Sequence, residues 1–301
     1  MKYLVTGANG FVGRHLCQRL IEDGVEIATC GRSNIDWSPE HYFVDLSNIG
    51  QVREMFLDCR PDVIFHLAGV ANGRPNYQNT SDVWLNNVCS TQNLAMCCPY
   101  GTKIILASSI LVYGQADGIP TEHTAANPKT PYSISKLAAE QILRSYIHAG
   151  AIDGGILRFG PIVGQNMTHG VAKEIIDKLL SPHQTTELIG PRPGNLRSYL
   201  WIDCAIKAIL LAAERLSKGC VVNICNSDWI SIEELVNTIS SMMNIKKEIV
   251  WTDDNWYGNP HILSADISKA KDSLLWKPTW NSTESIVHSV FSKALNKVVI
   301  S

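Results

Sequence analysis

Three glycines at three-residue spacing, Gly7, Gly10 and Gly13, stand between a short apolar run holding Leu4 and Val5 and a segment in which Phe11, Val12, Leu16, Leu20 and Ile21 recur at helical spacing. The run predicts a buried parallel strand, and the spacing predicts an amphipathic helix that Gly24 closes. Strand, glycine turn and helix in that order put unpaired backbone N–H groups and the positive end of a helix dipole beside a bound phosphate. Gly7 serves the tight turn, Gly10 the close approach of a pyrophosphate and Gly13 the contact of helix with strand. A glycine triplet alone is common; its placement between strand and helix is what points to a dinucleotide. Gly7, Asn9, Gly10, Phe11, Val12 and Gly13 are the candidate cofactor contacts of this turn.

The following segments extend the same pattern. Residues 25–30 predict a second strand, which runs out as Cys30-Gly31-Arg32-Ser33. In dinucleotide folds an acid here holds the ribose 2′-hydroxyl, whereas an arginine accommodates a 2′-phosphate. No acid is present, and a guanidinium grips a phosphate through two hydrogen bonds. Gly31, Arg32 and Ser33 therefore favour NADP, with NAD as the alternative and a solvated turn arginine as the plain reading. Residues 42–44 predict a third strand, 51–59 a helix, and 61–69 a fourth strand ending in Leu67-Ala68-Gly69 at the sheet's carboxyl edge, where ligands bind in doubly wound sheets. His66 lies inside that strand and reads as a satisfied core histidine. A long helix is expected over 81–98 and a fifth strand over 103–108, delivering Ser108-Ser109.

Pro131-Tyr132-Ser-Ile-Ser-Lys136 opens the next helix, since proline suits a first turn and Leu137, Ala138, Ile142, Leu143 and Tyr146 follow at helical spacing. Tyr132 and Lys136, four apart, share one face. A phenol with a pKa near 10 is a poor acid–base at neutral pH. A nearby ammonium and a positive nicotinamide would lower it. Tyr132 would then exchange a proton with a sugar oxygen while hydride moves at the same carbon, and Ser109 would hydrogen-bond that oxygen. Lys136 would also anchor the nicotinamide ribose. A Tyr-x-x-x-Lys by itself is a frequent coincidence; its position after a serine-bearing strand end, in a chain with the glycine turn, gives it weight.

Thr6-Gly-x-x-Gly-Phe-Val-Gly13, Ser109-x-x-Val-Tyr-Gly114 and Pro131-Tyr132-x-x-x-Lys136 together resemble the extended short-chain dehydrogenase/reductase family, also called the NAD-dependent epimerase/dehydratase family, in its nucleotide-sugar-modifying branch. The resemblance covers almost the whole chain, including Leu157-Arg158, Arg197-Ser-Tyr-Leu-Trp-Ile-Asp203 and Asp266-x-Ser-Lys-Ala. It implies that Asp45 and Leu46 hold the adenine, that Leu67, Ala68 and Gly69 flank the cofactor, that Asn87 braces the lysine through the backbone, and that Arg197 grips the substrate diphosphate. A surface salt bridge is the plain reading of Arg197. Arg192 and Asn166 are weaker substrate candidates, and Trp251, Trp256 and Tyr257 would line a base pocket or belong to the core. Family dehydratases carry Asp-Glu, and decarboxylases a glutamate, where this chain has Ile110 and Leu111, which argues against both activities. Two further departures lie on the substrate side. Pro161 replaces a substrate-touching asparagine, and Asn259, Pro260 and His261 stand where a second arginine is common.

The 301 residues, 45% of them hydrophobic, suffice for a large core, and a net charge of −2 gives no bias toward nucleic acid or anionic membrane. No run is long enough to span a bilayer, and Met1-Lys2 leads straight into the first strand, which predicts no signal peptide. Nine scattered cysteines lack metal-ligand spacing and read as reduced thiols of a cytoplasmic protein, with no metal site.

The expected fold is α/β: a Rossmann-type doubly wound parallel sheet over 1–160, with 199–225 returning to it, and a smaller C-terminal α/β substrate lobe from 161–198 and 226–301. The expected activity is NADP-dependent reduction of a 4-keto, 6-deoxy nucleotide-diphosphate sugar. The alternatives are a nucleotide-sugar 4-epimerase that retains NAD, and a non-catalytic cofactor-sensing regulator, which would tend to have lost Tyr132 and Lys136. The resemblance also implies a homodimer built on helices 81–98 and 132–148.

Overall fold

The computed structural model describes residues 1–71, 77–252 and 254–298. Seven strands form one sheet: β1 (Lys2–Thr6), β2 (Glu26–Gly31), β3 (His41–Phe43), β4 (Val63–His66), β5 (Lys103–Ser109), β6 (Asp153–Phe159) and β7 (Val221–Ile224). Their order is β7-β6-β5-β4-β1-β2-β3 and every pairing is parallel. The chain winds outward from β1 through β2 to β3, then crosses back to place β4 on the other side of β1. That reversal opens a crevice beyond the carboxyl ends of β1 and β4, the binding position of this sheet class.

Strand periodicity explains why the runs read as uniformly apolar. Neighbouring residues point to opposite faces, and both faces are covered. Val5, Phe65, Ile105 and Leu157 pack with Leu16 and Leu20 of α1 (Phe11–Glu22) and with Ile206 and Ile209 of α7 (Ile202–Arg215). Their sequence neighbours Leu4, Ile64, Ile104 and Ile156 pack on the other face with Val52 and Phe56 of α2 (Ile49–Asp58), Leu94 of α4 (Ser90–Cys97) and Leu143 of α5 (Pro131–His148).

The expected helix over 81–98 is interrupted. α3 (Thr80–Trp84) passes into a π-helical turn, Leu85–Cys89, before α4 begins. The wider turn brings Asn87 inward, where it is 2% exposed. Its Oδ1 accepts from the Val70 N–H at 2.8 Å, and its Nδ2 donates to the Val70 carbonyl at 3.2 Å and Ser135 Oγ at 2.8 Å. Satisfying a buried amide accounts for the break in the regular helical ladder.

Outside the sheet lie α6 (Val171–Leu180), α8 (Ile232–Met243), α9 (Ser268–Leu274) and α10 (Ser282–Val298). Thr185–Ile189 pairs in parallel with Glu248–Thr252, and Leu196–Arg197 lies between Ile230–Ser231 and Ile262–Leu263. Ile175, Leu235, Ile239, Trp276 and Ile286 join the same apolar cluster as α7, so these elements share the sheet's core. Trp276 is 1% exposed and donates its indole N–H to the Cys204 carbonyl of α7 at 2.9 Å. Trp276→Ala should lower the unfolding free energy by ~3–5 kcal/mol in denaturant titration, the cost of emptying a large aromatic site.

Candidate active site

The crevice holds a cavity of about 280 Å³. Gly7, Asn9 and Gly10 of the first turn line it, with Gly31, Arg32 and Ser33 at the end of β2, Asp45 and Leu46 after β3, and Leu67, Ala68 and Gly69 after β4. Four separate stretches of chain thus meet at one place. Gly7 has φ +69°, and a Cβ there would lie 2.7 Å from the Ala68 nitrogen. A Cβ on Gly13 would stand 2.2 Å from the Gly7 carbonyl oxygen, so α1 closes directly on the turn. A Cβ on Gly10 would meet only that same oxygen, at 3.1 Å, leaving the ligand side clear. Gly10 caps α1 without a side chain, so no side-chain cap stands over its first amides. This cradle fits a pyrophosphate.

Several residues differ in detail from expectation. Phe11 turns its ring into the core, edge-on to His15, and Val12 and Gly13 stand behind the wall, leaving the backbone as their means of contact. Asn87 is also behind the wall. It clamps the Val70 backbone and the serine beside Lys136, and its own carbonyl accepts from Thr91 Oγ1 at 2.7 Å. Asn86 and Ser90, one position before and three after it, face the cavity instead, as do Ile35 and Val44. The helical offset from Asn87 was the available signal for the first pair; Ile35 sits in a loop whose path has no sequence marker. His66 is a satisfied core histidine: its ring nitrogens meet Thr6 Oγ1 and Thr91 Oγ1, each at 2.9 Å, and burial drops its pKa to about 3.

Helix α5 begins in a capping box. Thr130 Oγ1 accepts from the Ser133 N–H at 3.2 Å, Ser133 Oγ accepts from the Thr130 N–H at 3.0 Å, and Pro131 occupies the first turn. This fixes Tyr132 at the helix mouth, near enough to Ser109 at the end of β5 for the serine hydroxyl to act on its phenol. One turn on, Lys136 donates to the Ala107 carbonyl at 2.9 Å, its Nζ 6.0 Å from the Tyr132 ring centre. That Nζ also lies 3.3 Å from where a Gly69 Cβ would stand, at the edge of the cavity. Ser109, Tyr132 and Lys136 therefore gather beyond the Gly69 end rather than in the cavity wall. Burial pushes Tyr132 up to about 12, opposed by the Ser109 hydrogen bond. Burial lowers Lys136 to about 8, opposed by the charge of Glu140. Activation of the phenol by the lysine, expected from their spacing, is thus outweighed by desolvation in the chain alone.

On the substrate side, Arg197 is 5% exposed. Its guanidinium donates to the carbonyls of Leu196 at 2.8 Å and Pro260 at 3.0 Å and to Asn259 Oδ1 at 2.5 Å. Among the described residues no carboxylate pairs with it, and burial lowers its pKa to about 10. A buried cation held only by neutral dipoles is suited to an incoming anion. Arg192 is exposed and bonds Glu233 at 2.7 Å, the plain surface pair. Asn166 is exposed, with φ 62°, in the loop before α6. Trp251 packs on the core, Trp256 is half-buried and Tyr257 is exposed; none lines the cavity.

The NAD dependent epimerase/dehydratase family matches residues 3–225. The chain belongs to this family. A putative UDP-glucose 4-epimerase of Methanocaldococcus jannaschii is 31% identical over 94% of this chain and 95% of its own length. The dTDP-6-deoxy-L-talose 4-dehydrogenase (NAD(P)(+)) of Kitasatospora kifunensis is 28% identical over 94% and 92%. The Bacillus cereus UDP-glucuronic acid 4-epimerase, solved with UDP-glucuronic acid and NAD, superposes with a TM-score of 0.88 at 24% identity, covering 98% of this chain and all of the other. The shared fold of this epimerase/dehydratase is the Rossmann-type sheet described above. Among the described residues no cluster of metal-ligating side chains occurs, and no helix is long and apolar enough to cross a membrane.

With Tyr132 raised to about 12, the cofactor-free protein should keep this phenol protonated at pH 10. An ultraviolet difference titration of wild type against Tyr132→Phe checks this: the two should gain the same tyrosinate signal up to that pH.

Proposed function

We propose that this epimerase/dehydratase is an NADP-dependent reductase of a 4-keto, 6-deoxy nucleotide-diphosphate sugar. The observation that carries the reading is the cavity wall at the end of β2: Arg32 and Ser33 line it, and no acid stands there. A carboxylate at this place would favour a free 2′-hydroxyl and repel a 2′-phosphate, whereas the guanidinium favours the phosphate.

The glycine turn would hold the pyrophosphate, Asp45 and Leu46 the adenine, and Lys136 the nicotinamide ribose. When bound, the cofactor supplies hydride chemistry at the sugar carbon. The chain's own residues handle the oxygen. Ser109 would donate a hydrogen bond to the substrate carbonyl, polarising it and stabilising the developing negative charge. Tyr132 would deliver its proton to that oxygen. Burial favours the protonated phenol, which is the form reduction needs. Arg197 would take the diphosphate, exchanging neutral partners for a charged one. Ile110 and Leu111, in the turn after β5, offer no acid to expel water or handle a carboxyl group.

A 4-epimerase is the second reading, favoured by the activity in the name of the Methanocaldococcus relative. It would use the same tyrosine in both directions and leave the cofactor unchanged at the end of each turnover. The fate of the cofactor separates the two. Steady NADPH oxidation by a nucleotide-diphosphate 4-keto sugar is expected; interconversion of two sugars at constant cofactor would replace the reductase with the epimerase. Tyr132→Phe should lose roughly 10²–10⁴-fold in turnover with cofactor affinity retained. Full turnover by that variant would remove the catalytic assignment and reopen the regulator reading.

The reading extends to a cytoplasmic homodimer. All nine cysteines are free thiols, which suits a reducing compartment. Trp84, Leu85 and Met96 on the α3–α4 stretch and Ile134 on α5 are each between 42% and 47% exposed. Apolar side chains on neighbouring helices suit packing against a second copy. Light scattering after size exclusion should give twice the chain mass, and Trp84→Glu with Ile134→Glu should give the single chain.

A further inference from the structure

Behind the candidate catalytic residues lies a buried ion pair that the proposed chemistry does not use. Glu140 stands one turn beyond Lys136, so Tyr132, Lys136 and Glu140 succeed one another along one face of α5. The Glu140 side chain has no exposed surface, and its partner Arg158 on β6 is 6% exposed. The pair is bidentate: Arg158 Nε to Glu140 Oε1 at 2.9 Å and Nη2 to Oε2 at 2.6 Å. Desolvating two charges is expensive, and well-packed apolar residues often serve stability as well or better. Stability alone is therefore a weak explanation for this pair.

Its contacts bracket Ser109. On one side, Ser108 Oγ donates to Glu140 Oε1 at 2.5 Å. On the other, Arg158 Nη1 donates to Tyr113 Oη at 2.9 Å and stacks over that ring at 4.9 Å. Tyr113 closes the tight turn Ile110–Tyr113 that starts from Ser109, and it donates onward to Asn223 Oδ1 at 2.8 Å. The residue before Ser108, Ala107, supplies the carbonyl that holds Lys136. The end of β5 is thus gripped on both sides of the serine by a charge pair anchored in α5.

We propose that Glu140 and Arg158 are positioning residues, holding Ser109 and Lys136 in register with Tyr132. Glu140, one turn from Lys136 on the same face of α5, also bears on the charge of that amine. This rests on the catalytic roles proposed for Ser109, Tyr132 and Lys136. Among the described residues, few titratable groups face Lys136. Tyr132 and Glu140 flank it on α5, His66 approaches from β4, and Arg158 lies across Glu140 from β6. Burial holds the His66 pKa low and the Tyr132 pKa high, so Glu140 supplies the nearby negative charge. Its loss would lower the pH at which Lys136 gives up its proton.

The test uses the full chain as Glu140→Gln and Ser108→Ala, with Tyr132→Phe as the control for the chemistry. The first readout needs neither cofactor nor turnover. The Lys136 ¹³Cε resonance, assigned with Lys136→Met, is titrated in cofactor-free protein. In Glu140→Gln its midpoint should fall by about one pH unit, an order-of-magnitude expectation for losing one nearby charge. The second readout is steady-state turnover with NADPH and a nucleotide-diphosphate 4-keto sugar. Glu140→Gln should lose at least tenfold in kcat with KM changed less than threefold, and the alkaline limb of its pH profile should move to lower pH. Ser108→Ala, which leaves the ion pair intact, should lose kcat several-fold with the Lys136 midpoint unmoved. An unmoved midpoint in Glu140→Gln, or turnover at the wild-type level in both variants, overturns the proposal. Should Glu140→Gln fail to fold, Ser108→Ala decides alone: wild-type kcat overturns the proposal. Full turnover by Tyr132→Phe would instead overturn the catalytic roles, while the titration would still report on Glu140.

Discussion

The approach of α1 to the end of β1 governs the rest of the molecule. With no side chain at Gly13, the helix closes to a distance at which even a Cβ would meet the Gly7 carbonyl oxygen at 2.2 Å. Gly7 in turn sits against the Ala68 backbone, so the first turn, the first helix and the end of β4 form one tight corner. An alanine at either glycine would force backbone apart from backbone, and close-packed interiors have little slack for that. The crevice exists because this corner is closed on its inner side and the loops after β2 and β3 stand away from it.

Desolvation sets the chemistry of the neighbouring corner, where α5 meets β5. Burial disfavours the charged form of both Tyr132 and Lys136, raising one pKa and lowering the other. The two effects bring the groups toward a neutral pair, a state in which the phenol keeps its proton and the amine is poised near physiological pH. Glu140 opposes this for the lysine alone. Arg197 follows the same physics on the substrate side, its charge supported among the described residues by carbonyls and an amide. The site thus holds cations short of full compensation, a suitable arrangement for binding phosphates.

Much of this is legible in the sequence. Helix α5, expected over 132–148, runs from Pro131 to His148, because its apolar spacing is regular and a proline opens its first turn. Strands β2, β3 and β5 lie within a residue of their expected bounds, since a sheet covered on both faces leaves short, uniformly apolar runs, while β4 stops three residues before the expected Gly69. The spacing over 81–98 predicts a continuous helix because periodicity reports which face is apolar, and a single π turn shifts that face too little to break the pattern. Asn87 became its cause only when Val70 and Ser135 arrived from elsewhere in the chain.

The sequence by itself determined the strand–glycine–helix entry, the alternation that buries both faces of the sheet, and the one-turn separation of Tyr132 from Lys136. These are local properties, written in spacing and in the absence of side chains. Only the tertiary structure decided that Ser108 and Arg158 close around Glu140, that Asn86 rather than Asn87 faces the cavity, and that the tyrosine's pKa rises in the chain alone. Each of these depends on which distant segments exclude water from a given side chain, and desolvation is a property of the packed assembly that no residue carries in its own neighbourhood.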